Sequence, residues 1–161
     1  MPTKQPNHTC EACQLSKHVR LSFSSSVSVS YVPFQIVPAD VWTSPIHSFS
    51  GFKYYLVLID DYTHYVWTFL LHAKSDVLQC LLAFHAYVLT QFQLPLISLQ
   101  TDNGREFDNS ALRDHLSTHG IDFRLSCPYT SAQNRKAERI IRTLNDCVRS
   151  LLLHTAMPGE Y

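Results

Sequence analysis

Apolar positions become frequent only near Phe34. Residues 1–21 are polar, and the run SFSSSVSVS, Ser22–Ser30, has nothing with which to build a core, so 22–33 reads as a linker. Beyond it, short apolar runs alternate with helical spacing. FQIVPADVW is a strand candidate weakened by Pro38. FKYYLVLIDDY and HYVWTFLL are rich in aromatic and β-branched residues. They flank a polar turn at Asp61–His64 and predict a hairpin buried on both faces. Val77, Leu78, Leu81, Leu82, His85, Val88 and Phe92 then recur at helical spacing, with Ser75 as the expected N-cap. PLISLQTDNG predicts a strand entering a polar turn, NSALRDHLSTHG a short helix stopped by Gly120, and IDFRLS a last strand. A closing helix is expected over about Ala132–Leu153, opened by Thr130 and Gln133 at capping-box spacing. Its buried face would be Ala137, Ile140, Ile141, Leu144, Cys147, Val148 and Leu151. The order βββαβαβα argues an α/β layer with a mixed sheet.

Composition narrows this only a little. With 161 residues and 45% hydrophobic content, the chain can bury one domain-sized core. Its 13 bases balance 13 acids, so any basic surface for a polyanion must be local. No apolar run approaches the ~18 residues of a membrane span, and no signal-peptide segment follows Met1. Cys10, Cys13, Cys80, Cys127 and Cys147 are irregularly spaced, which suits a reducing compartment. The expectation is a soluble, intracellular chain without membrane contact.

In an α/β sheet, functional groups gather at strand ends and helix starts. Asp40 falls in the first strand, Asp102 opens the turn after the fourth, and Glu138 stands in the first turns of the last helix. Carboxylates that converge without a basic partner repel one another, and their usual use is to hold hard divalent cations. Spacing alone does not choose these three. Asp60 and Asp61 also end a strand, and Glu106 and Asp108 also follow Asp102. Glu138 has a plain reading as well, an i,i+4 ion pair with Arg142 worth ~0.2–0.5 kcal/mol.

The stretches DVWTSP, YYLVLIDDYTHYVWTFLL, LQTDNGREF and CPYTSAQNRKAERIIRTL resemble the integrase core of copia-type LTR retrotransposon polyproteins over about residues 36–157. Asp102 and Glu138 have 35 residues between them, the spacing of that family's D,D(35)E signature. The resemblance implies an RNase H-like fold over 34–161, a mixed five-stranded sheet with flanking helices, with the family's further C-terminal helices missing from this chain. It implies that Asp40, Asp102 and Glu138 form the catalytic triad and hold two Mg²⁺ or Mn²⁺ ions. The implied chemistry is DNA 3′-end processing and strand transfer. The implied partners are double-stranded DNA, as element ends and as target, and further copies of the chain, with the nucleus as the place of action. Glu138 is then a metal ligand rather than half of a salt bridge. Arg135, Lys136, Arg139 and Arg142 form a local basic patch suited to phosphates. Asn103, Gln133 and Asn134 resemble the family's DNA-contacting or site-shaping positions.

Two departures qualify the resemblance. Arg135 stands where the family has glycine, which puts a long charged side chain three residues before Glu138 and is expected to lower activity. Cys10 and Cys13 match the CxxC of the zinc domain that precedes such cores, represented here by residues 1–21. Structural zinc takes four ligands. Only nine residues precede Cys10, so an empty remnant is favoured over a zinc site completed by His8 or His18. The alternative function is a catalytically inactive DNA-binding or self-associating remnant, with Leu151–Leu153 exposed; a stand-alone RNase H-type nuclease ranks third. His115 and His119 have the i,i+4 spacing that can bind metal, but the sequence offers no evident third ligand.

Overall fold

The computed structural model describes residues 29–125 and 135–157. The candidate positions His8, Cys10, Cys13, His18, Cys127, Thr130, Ala132, Gln133 and Asn134, and the side chain of Arg135, lie outside the described residues.

Strands β1 (Val37–Thr43), β2 (Tyr54–Ile59) and β3 (Val66–Leu71) run antiparallel, and β2 and β3 form the expected hairpin. Helix α1 (Val77–Phe92), β4 (Ser98–Thr101), α2 (Ser110–Thr118), β5 (Asp122–Leu125) and α3 (Arg135–Thr155) follow. The sheet order is β3-β2-β1-β4-β5, with β4 parallel to β1 and β5 parallel to β4. The element order and the mixed five-stranded sheet match the sequence reading. Pro38 is tolerated because the β1–β2 ladder starts one residue later, at Ala39↔Leu58.

Strand alternation sorts the side chains onto two faces. Val37, Ala39, Leu56, Leu58, Leu71 and Leu99 meet Val77, Leu81, Phe84 and Val88 of α1 and Leu112 and Leu116 of α2 in the main core. Val57 and Ile59 face the other way, onto Ala137 and Ile141 of α3, with Trp42, Tyr55, Val66, Ile140 and Leu144 half-buried around them.

Three local expectations need correction. Ser75 does not cap α1: a 3₁₀ turn over Lys74–Asp76 precedes the helix, and Asp76 instead accepts from the Ala73 N–H at 2.9 Å. Of the two hairpin strands only β2 is buried on both faces; β3 is the sheet edge and leaves Thr68 and Leu70 exposed. On α3, Ala137 and Ile141 are buried and Ile140 and Leu144 half-buried, but Cys147, Val148 and Leu151 are exposed. The cause is length. A 21-residue helix is roughly 31 Å long, whereas the six-residue strand β2 spans roughly 20 Å, so the helix outruns the surface it covers. Leu151 and Leu153 are exposed as expected, while Leu152 is half-buried. Among the described residues, no helix is long and apolar enough to cross a membrane.

Candidate functional site

Asp40 alternates with Ala39 and Val41 of the main core, so its side chain leaves β1 on the face that carries α3. In the β1–β4 register Pro38 lies opposite Gln100. Two residues further along, Asp40 draws level with Asp102, just past the end of β4. Glu138 enters from the first turn of α3, one residue beyond the buried Ala137. The electrostatics record the convergence. Burial pushes the Asp40 carboxyl up, and the nearby carboxylates of Asp102, Glu138 and Glu106 add to the rise, against the Val41 N–H that donates to it at 2.8 Å. Its pKa reaches about 6.

The carboxylates that spacing left open separate by their partners. Buried Asp60 is committed to its own turn: it accepts from the Phe34 N–H at 2.9 Å, the Thr63 N–H at 3.1 Å and the Thr63 hydroxyl at 2.6 Å. Asp61 pairs with Lys136 and accepts from the Ser30 hydroxyl at 2.8 Å. Burial alone would raise the Asp61 pKa, but these partners hold it below the usual carboxylate range. Asp108 pairs with Arg113 at 2.5 Å, and Glu106 with Lys74 at 2.6 Å. Among the described residues, Asp40, Asp102 and Glu138 form no ion pair, and Glu138 does not pair with Arg142.

Glu106 joins this cluster as a fourth acid, and Gly104 explains how. A Cβ on Gly104 would lie 2.8 Å from Glu106 Oε2 and 2.9 Å from Asp102 Oδ1, so the loop folds both carboxylates over a residue with no side chain. The Gly104 N–H also donates to Asp102 Oδ1 at 3.0 Å. Tyr55 closes the other side. Its hydroxyl donates to Asn145 Oδ1 at 3.2 Å, with the Ile141 carbonyl as a second acceptor 3.4 Å away, which fixes α3 to β2. Burial, then the Asp40 charge, push its pKa up to about 12. Neither the Lys74–Glu106 pair nor the Tyr55 anchor is legible in the sequence, because both join residues far apart in the chain.

The remaining candidates divide. Asn103, Arg139 and Arg142 are exposed beside the carboxylates in the chain. Lys136 is spent on the Asp61 carboxylate and, at 3.3 Å, on the Asp61 carbonyl, so it braces the start of α3 against the β2–β3 turn. Asp40, Asp102 and Glu138, hard oxygen donors with no cationic partner among the described residues, suit Mg²⁺ or Mn²⁺ and do not suit a soft metal.

A family model described as "Integrase core domain" matches residues 31–131. The chain is 35% identical over 164 residues to "Retrovirus-related Pol polyprotein from transposon RE2" of Arabidopsis thaliana, covering 100% of this chain and 11% of that protein. It is 33% identical over 153 residues to "Retrovirus-related Pol polyprotein from transposon TNT 1-94" of Nicotiana tabacum, covering 94% and 12%. The chain thus spans only about a tenth of these curated relatives. Among solved structures, a chain of the assembly described as "CryoEM structure of simian T-cell lymphotropic virus intasome in complex with PP2A regulatory subunit B56 gamma" superposes with a TM-score of 0.70 at 16% identity, covering 95% of this chain and 54% of that one. The fold is therefore the RNase H-like fold that the sequence resemblance implied.

Proposed function

This chain belongs to the integrase core domain family, in company with copia-type retrotransposon polyproteins, and we propose that its carboxylate cluster performs polynucleotidyl transfer on double-stranded DNA. The observation that carries the reading is that the charges of Asp102 and Glu138 act on the buried Asp40 while none of the three has an ion-pair partner among the described residues, against the pairing of Asp61, Glu106 and Asp108. Asp40, Asp102 and Glu138 would hold the divalent ions, and Glu106 stands beside them. Two Mg²⁺ or Mn²⁺ ions bound there would supply activation of water or of a DNA 3′-hydroxyl and stabilisation of the departing oxygen.

The chain's own residues do the rest. β1 and β4 present Asp40 and Asp102 from the rigid sheet, and Tyr55 and Lys136 hold the helix that presents Glu138. Arg139 and Arg142, exposed on that helix, offer cationic contacts for phosphates, and Asn103 an amide beside Asp102. Such contacts position the duplex with little reading of its sequence. Processing of element ends and their transfer into target DNA, by several copies of the chain in the nucleus, is the role this reading assigns.

The test has two arms. Mn²⁺ at ~100-fold excess over Kd should stabilise the fold by ~2.7 kcal/mol, and Glu138→Gln should remove most of that gain. Joining of duplex oligonucleotide 3′ ends into plasmid DNA should require Mn²⁺ and vanish in Asp102→Asn. Mn²⁺-independent stability together with undiminished DNA binding would replace this reading with that of a non-catalytic DNA-binding protein.

A further inference from the structure

His85, on α1, lies against His115 and His119 of α2's C-terminal end, and one ring nitrogen from each falls within 4.8 Å of the others. We propose that these three histidines form a Zn²⁺ site that clamps α1 to α2, separate from the carboxylate cluster.

Three observations support it. First, His85 Nδ1 and His115 Nε2 are 3.0 Å apart. Two nitrogens on a tetrahedral zinc, each at 2.0–2.1 Å, stand about 3.3 Å from each other, so this pair is already close to ligand spacing. Second, His119 Nδ1 lies 2.8 Å from the His115 carbonyl. A carbonyl can only accept, so Nδ1 carries the proton and Nε2 keeps its lone pair; metal-binding histidines are commonly fixed by such a bond on the far nitrogen. Third, burial and the neighbouring rings hold His85 and His115 below the usual histidine range, which favours the neutral form that ligates.

The site also has the right mixture of rigidity and access. His85 is 6% exposed and fixed among core residues of α1, His115 is half-buried, and His119 is exposed at the helix end. Three imidazole nitrogens would leave the fourth position of a tetrahedral zinc to water. Imidazole nitrogens suit Zn²⁺ and do not suit Mg²⁺, so the two sites take different metals. The cluster lies at the end of α2 remote from the Asp102 loop, because α2 runs back between the parallel strands β4 and β5.

The experiment is calorimetric titration of the metal-free chain with ZnCl₂, with thermal melts in parallel. The expected result is a Zn²⁺ equivalent that His119→Gln and His115→Gln each remove and that Asp40→Asn and Cys13→Ser retain. At ~100-fold excess over Kd the melting temperature should rise on the order of 5–10 °C. His119 is exposed, so its replacement tests the site without opening the core; His85→Gln is the second variant. Equal Zn²⁺ binding and equal thermal shift in the wild type and His119→Gln would overturn the proposal. So would a Zn²⁺ equivalent that disappears in Asp40→Asn or Cys13→Ser and not in the histidine variants.

Discussion

On one face of the sheet, Leu56, Leu58 and Leu99 disappear under two helices, and Phe84, Val88, Leu112 and Leu116 complete a continuous buried cluster. On the other face, Val57 and Ile59 are covered by Ala137 and Ile141 of a single helix, and the residues around them stay half-exposed. The first face resembles the interior of a larger domain. The second relies on polar fastenings, the Lys136–Asp61 pair and the Tyr55 hydroxyl on Asn145, to supplement a thin apolar contact. Glu138 rides on the thinly held helix, while Asp40 and Asp102 belong to the sheet. Of the three proposed ligands, Glu138 is therefore the one whose position depends on the weaker face.

The largest test of this difference is a pair of truncations. Phe84→Ala should cost about 3–5 kcal/mol of unfolding free energy, because its ring is fully enclosed between Trp67, Phe69 and the helix core. Ile141→Ala, next to half-exposed neighbours that can collapse toward it, should cost about 2 kcal/mol, near the low end for such a change. Urea denaturation measures both. Equal losses would mean that the two faces are equally well built.

The faces should also answer pH in opposite directions. Asp40 titrates near 6 in the fold and near 3.8 when free, so its contribution is fully present below 3.8 and is lost as pH rises through 6. Buried, and facing Asp102, Glu138 and Glu106, the charged form should cost the metal-free protein on the order of 2–3 kcal/mol above that range. Asp40→Asn should flatten this decline, and Mn²⁺ should reverse it in the wild type alone. His85 and His115, facing each other and His119, have depressed values. Their contribution is complete above the ordinary histidine range and is lost as pH falls through it. A metal-free stability profile without a fall between about pH 3.8 and 6 would remove the account of Asp40 as a buried carboxyl among like charges.

The sequence shows more of the first face than of the second. Val77, Leu81, His85 and Val88 repeat at helical spacing, and β2 alternates between two buried faces, so periodicity alone predicts the main core. On α3 the same periodicity runs through Cys147, Val148 and Leu151, which the short strands beneath do not reach. Periodicity records which side of a helix is apolar, and says nothing about where its support ends. At the carboxylates, spacing left Asp60, Asp61, Glu106 and Asp108 in contention. What separates Asp61, Glu106 and Asp108 from Asp40, Asp102 and Glu138 is a basic partner, Lys136, Lys74 and Arg113 in turn, and what separates Asp60 is that its own turn and the Phe34 N–H occupy it. His85 is illegible as a candidate ligand for the same reason: its spacing marks it as core, and its partner His115 lies 30 residues away.

A smaller effect tests the fastening of α3 directly. Lys136→Met removes the ion pair with Asp61 while keeping most of the aliphatic stem. Lys136 is 45% exposed, so the global loss should be under about 1 kcal/mol. Its signature is local. Amide exchange in the first turns of α3 should accelerate, while exchange in α1 and β2 stays at the global rate. Uniform acceleration in all three elements would mean that α3 and the main core open as one unit.

The smallest expected change in stability is at Gly104, and it separates the fold from the site. The Gly104 carbonyl accepts from the Phe107 and Asp108 N–H groups at 3.0 and 3.1 Å, and its own N–H holds Asp102, so the residue is the pivot of the loop after β4. Alanine keeps those backbone bonds. Its Cβ, however, needs the space that Asp102 Oδ1 and Glu106 Oε2 occupy at 2.9 and 2.8 Å. Both are the ends of rotatable side chains, so they can swing aside, and the unfolding free energy should change by no more than about 0.5 kcal/mol. Swinging aside moves Asp102 relative to Asp40 or draws Glu106 off Lys74. Gly104→Ala should therefore weaken Mn²⁺ binding severalfold, read as a smaller Mn²⁺-induced rise in melting temperature, at almost unchanged metal-free stability. The Zn²⁺ response assigned to the histidines should be untouched, because they stand at the other end of α2. Unaltered Mn²⁺ affinity would mean that the loop has room for a methyl group, and that neither Asp102 nor Glu106 needs its present position to hold a metal.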